Sequence, residues 1–103
     1  MNISIRSHYT SIANAAVAAQ NAGSNRFWVG FHVGQIREHA LALNLREAKH
    51  GKSELYQKRY AKMMWAVSDA VDSCTLDKPC AAEKLSSVIK FAKMTRELHE
   101  IND

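Results

Sequence analysis

The sequence predicts an all-α fold: a small bundle of about four helices in a single domain spanning residues 1–103. Three observations point there. Apolar residues recur at helical spacing through most of the chain. Turn-forming residues are scarce, with four Gly and one Pro, too few for a β-rich fold of many hairpins. Apolar residues make up 47% of the 103, enough for a buried core and inconsistent with a disordered chain.

The first helix is expected over about 7–20. Ile5, Tyr9, Ile12, Ala16 and Ala19 form a narrow apolar stripe. The Ala-rich run after Arg6 weakly imitates an export leader, but Asn14 interrupts it, and a helix is the better reading. Asn21, Gly23 and Asn25 then favour a turn.

The second helix is expected over about 26–50, capped by Ser24 or Asn25. At ~100° per residue, its apolar residues divide between two opposite faces. Phe27, Phe31, Gly34, Leu41 and Leu45 line one, and Val29, Val33, Ile36, Ala40 and Leu43 the other. Such a helix is expected to be sandwiched. This places helix two at the centre of the fold, where trimming Phe31 or Leu41 would be costly.

Gly51 is a helix stop and Ser53 a cap for the third helix. That helix carries the clearest stripe: Tyr56, Tyr60, Met63, Val67, Ala70 or Val71, and Cys74. Asp77 and Pro79 announce the fourth, whose apolar residues are Ala81, Leu85, Val88, Ile89 and Ala92, followed by Phe91, Met94, Leu98 and Ile101.

Motifs for chemistry fail on inspection. Gly51-Lys52-Ser53 matches the end of a phosphate-binding loop, but that pattern needs a glycine where Arg46 stands, and a preceding strand. His32 and His39 are two helical turns apart, ~10 Å along the axis, too far to share a zinc ion without His8, His50 or His99. No metal site and no cofactor are expected. Cys74 and Cys80 lack redox or zinc spacing and are expected as thiols in a reducing, cytoplasmic setting. No apolar run approaches a membrane span. With no nucleophile–base pair either, a non-enzymatic role is expected.

Charge and surface pattern carry the rest. The net charge is +4, with seven basic and three acidic residues in 37–62 against one basic and four acidic in 63–83. Arg46, Lys49, Lys52, Lys58, Arg59 and Lys62 therefore form a candidate phosphate-binding segment. Trp65 faces away from the third helix's core stripe, beside Lys58, Lys62, Asp69 and Asp72. Either a neighbouring helix covers this indole, or another molecule does, since Trp is enriched at interface hot spots. The leading expectation is a small accessory-type protein, of the kind viruses and plasmids encode, that docks on a larger macromolecule through Trp65, Lys58, Lys62, Asp69 and Asp72 and modulates or inhibits it. The alternative is a helical nucleic-acid-binding protein. A homodimer is compatible with both, because so small a domain gains stability by association.

Overall fold

A computed structural model describes residues 4–23, 25–47, 54–75 and 81–99, which form four helices: α1 (Ile5–Ala22), α2 (Arg26–Glu47), α3 (Glu54–Thr75) and α4 (Ala81–His99). The all-α bundle is as the sequence predicts. Helix one starts at Ile5, the first residue of its apolar stripe and earlier than the expected start at about residue 7, because Ser4 caps it: its hydroxyl oxygen accepts from the Ser7 N–H at 3.1 Å, satisfying a donor that the first turn cannot. Gly23 ends α1 at φ 59°, a left-handed conformation that favours glycine. Asn25 caps α2 by accepting from the Trp28 N–H at 3.3 Å. Ser24, Gly51, Ser53, Asp77 and Pro79 lie outside the described residues.

The helices form a ring in which α1 packs on α2 and α4, and α3 on α4 and, more lightly, α2. Hydrogen bonds fix the direction of each pair. Early α1 meets late α2 at His8 and His39. Early α3 meets late α2 where the Tyr60 hydroxyl donates to Asn44 Oδ1, and late α4 where Arg59 Nη1 donates to the Met94 carbonyl. Early α1 meets late α4 where Arg96 donates to Thr10 Oγ1, and late α1 meets early α4 where Gln20 Nε2 donates to Ser86 Oγ and the Ala82 carbonyl. Neighbours in the ring are therefore antiparallel, the up-down topology that short connections favour.

The core draws on all four helices. Tyr9, Ile12, Ile36, Leu43, Met63, Val88 and Thr95 are its largest fully buried side chains. Across the diagonal, the hydroxyls of Tyr9 and Tyr56 hydrogen-bond to each other, which lets two phenols enter the core without stranding a polar group. Thr95 solves the same problem locally by donating to the Phe91 carbonyl at 2.7 Å.

Helix two is not the sandwiched centre. Its face of Val33, Ile36, Ala40 and Leu43 is buried, but Phe27, Phe31, Leu41 and Leu45 are exposed. The broadest buried surface belongs to α1: Ile5, His8, Tyr9, Ile12, Ala13, Ala15, Ala16 and Ala19. The physical reason is side-chain size. Alanines let α1 sit close against two neighbours at once, and dense packing rewards such fit as much as bulk. Trimming Phe31 or Leu41 therefore opens no cavity within the folded chain.

Candidate interaction surfaces

Two outward faces stand apart from the rest of the surface. The first lies on α3. Tyr56, Met63, Ala66, Val67 and Ala70 take one side of this helix into the core, which turns Trp65 outward on the other, 76% exposed. No neighbouring helix covers the indole, so of the two readings of this residue the exposed one holds. Trp65 borders an open groove of about 540 Å³ lined also by Ala61, Met64, Ser68, Asp69 and Asp72.

The sequence-assigned companions of Trp65 have distinct roles. Asp69 is held by Lys84 of α4 at 2.6 Å, so its carboxylate closes the side of the groove rather than standing open. Lys58 pairs with Glu54 one turn earlier at 3.5 Å, both well exposed, a contact that contributes little. Lys62 and Asp72 are exposed on the same helix.

Of the basic segment, the side chains of Lys58, Arg59 and Lys62 are described. Arg59 is half-buried and spends its guanidinium on the Met94 carbonyl. Lys58 and Lys62 flank the Trp65 face. Lys49, Lys52 and the Arg46 side chain lie outside the described residues.

The second face lies on α2, opposite its core side. Phe27 and Phe31 meet Trp28 edge-on, with ring centroids 5.2 and 5.7 Å away, and Trp28 stacks on His32 at 6.1 Å. Leu41 and Leu45 continue the face toward the end of the helix, 54% and 73% exposed. Phe27, Phe31, Leu41 and Leu45, expected from the sequence to be buried, are exposed here. The signal that separates the two faces is glycine: a Cβ added at Gly30 or Gly34 would meet no atom within 4 Å, so no neighbouring helix lies over either.

No known protein family, curated protein or solved structure matches this chain.

Between α1 and α2 lies a shallow hollow of about 270 Å³ lined by Ser11, Asn14, Ala15, Ala18, His32, Gln35 and His39. His39 Nδ1 sits 2.8 Å from His8 Nδ1, a geometry in which one ring donates and the other accepts. His32 Nδ1 lies 3.3 Å from Gln35 Oε1. The fold thus brings His8 to the histidine stripe, but among the described residues no three His, Cys, Asp or Glu converge on one point. Cys74 is a half-buried thiol with no disulfide, and Cys80 lies outside the described residues. Among the described residues no helix is long and apolar enough to cross a membrane.

Proposed function

We propose that this protein is a non-enzymatic docking module of the cytoplasm, which binds a larger protein through the outer face of α3 and modulates or inhibits it. One observation carries the reading: Trp65 is 76% exposed beside an apolar-floored groove, on a helix whose opposite side already supplies a complete core stripe. Leaving a large indole in water forgoes the stabilisation that burial gives, and nothing in the packing of α3 requires it there.

The groove suggests the shape of its occupant. Met64 and Ala61 give it an apolar lining, and Met adapts to differently shaped side chains. Asp72 is exposed in its lining, and Lys62, also exposed, follows Ala61 of the lining in sequence. A helix of the partner that inserts an apolar residue beside Trp65 and sets a cation against Asp72 would match both features.

The test is affinity capture from host lysate with wild-type protein and with Trp65→Ala, read by quantitative mass spectrometry across a salt series. The reading expects a protein retained by the wild type at moderate salt and lost from W65A. A capture profile unchanged by W65A would overturn it. Retention of nucleic acid that falls steeply with salt, in place of any protein, would favour the phosphate-binding alternative.

A further inference from the structure

We infer that the outer face of α2 is a self-association surface on which a second copy of this chain packs antiparallel, helix against helix. Phe27, Phe31, Gly34, Glu38, Leu41 and Leu45 follow one another at spacings of four, three, four, three and four residues. That is the spacing of a coiled-coil seam, and it runs down the exposed side of a helix whose other side is committed to the core. The seam spans ~27 Å of helix.

The choice of a second copy as occupant rests on the symmetry of the seam. Reversing α2 about Ile36 exchanges Phe27 with Leu45, Phe31 with Leu41 and Gly34 with Glu38. Two antiparallel copies therefore place an aromatic ring against a leucine at each end, and glutamate against glycine in the middle. A self-complementary patch of this kind is what a two-fold interface requires. Size alternates usefully: Gly34 leaves room for Glu38 of the other copy.

Charge agrees with the same register. Glu38 is the one charged residue on the seam, and Arg37 flanks it. Neither has an ion-pair partner among the described residues. In the antiparallel pair, Arg37 of one copy lies ~4.5 Å along the axis from Glu38 of the other, within side-chain reach across the seam. Each copy then supplies one cation and one anion to the centre, leaving no net charge there.

Area also fits. Given their exposures, Phe27, Trp28, Phe31, Leu41 and Leu45 present roughly 500 Å² of apolar surface per copy. The flanking Gln35, Arg37 and Ala42 add to the area a second copy could cover, toward the ~800 Å² per partner of a standard stable interface. Gly34 gains a purpose as well: among the described residues a Cβ there would meet no atom within 4 Å, yet glycine is a poor helix former, and on the seam it permits close approach of a second helix.

Sedimentation equilibrium over a concentration series tests the inference. Wild type is expected to show a monomer–dimer equilibrium. Phe31→Glu should weaken it about 100-fold or more while leaving the helical circular dichroism spectrum intact, because Phe31 does not pack in the monomer core. The double variant F31E/L41K should dimerise again, because the antiparallel register sets each new acid against a new base, whereas a parallel register would oppose like charges. If F31E itself loses helicity, Leu45→Glu at the 73% exposed end of the seam serves in its place. W65A should dimerise as the wild type does, which separates this surface from the α3 face. A wild type that stays monomeric at its solubility limit, a dimer that survives F31E and L45E, or an F31E/L41K protein that stays monomeric would each overturn the inference.

Discussion

Ile36 and Phe31 sit five residues apart on α2 and point to opposite sides of it: Ile36 is fully buried, whereas Phe31 is 50% exposed. Five residues turn a helix by ~500°, which leaves the two side chains ~140° apart. The two residues should therefore respond oppositely to truncation. Ile36→Ala removes atoms from the close-packed centre of the bundle and should cost roughly 2–5 kcal/mol. Phe31→Ala, measured at a dilution where the chain is monomeric, should cost less than about 0.5 kcal/mol. Chemical denaturation of both variants checks this. A Phe31→Ala loss comparable to that of Ile36→Ala would mean the ring is packed after all.

Much of this division was legible from the residues. The stripes of α3 and α4 are legible because each has one apolar side, so periodicity alone orients the helix. The same logic turns Trp65 away from the core stripe, since Met63, Val67 and Ala70 fill the inner face, but it leaves open whether a neighbouring helix covers the indole. Helix two defeated it because both of its faces are apolar, and apolar periodicity does not distinguish a neighbouring helix from solvent. The breadth of α1's buried surface was hidden for a different reason. Its packing surface is mostly alanine, which carries little hydrophobic weight per residue yet allows the closest helix approach. The His8–His39 pair joins residues 31 positions apart and needed the α1–α2 register, which no local pattern supplies.

Cys74 should behave as a sluggish thiol. Burial among apolar neighbours pushes its pKa above the ordinary thiol value, because the thiolate loses hydration. In a C80S background, alkylation of Cys74 in the folded protein should be slower at mildly alkaline pH than in the denatured chain. The linked stability effect has a definite sign. The folded thiol binds its proton more tightly than the unfolded one, so the contribution is intact below the unfolded pKa and declines as pH rises toward the folded value. Cys74→Ala should flatten this alkaline decline. Equal alkylation rates in folded and denatured protein would show that the thiol is not shielded.

Arg59 should prove structural. Its guanidinium ties α3 to the last turns of α4 through the Met94 carbonyl at 3.2 Å. Arg59→Ala should lower stability by about 1 kcal/mol, visible in the melting temperature. Lys62→Ala, fully on the surface, should leave the melt nearly unchanged. A loss of affinity for DNA or RNA in R59A without a fall in stability would instead place Arg59 in a phosphate-binding surface.

Trp65 offers a test that needs no knowledge of the partner. The chain has two tryptophans, Trp28 and Trp65, so Trp28→Phe leaves the α3 indole as the only tryptophan fluorophore. At 76% exposure it should emit at the long wavelength of a hydrated indole and be quenched efficiently by acrylamide. Truncating it should scarcely alter folding, because the ring makes little use of the core: Trp65→Ala should shift stability by less than about 0.5 kcal/mol. In affinity, by contrast, the removal of a central aromatic should cost about 2 kcal/mol or more. Titrating the captured partner into W28F protein should then move the emission to shorter wavelength and protect it from acrylamide, as water leaves the groove around Met64 and Asp72. Two results would sink the assignment. One is a W65A protein that melts far below its parent, because the indole would then belong to the core. The other is a Trp65 emission that stays hydrated and fully quenchable when the partner saturates the protein, because the contact would then lie elsewhere.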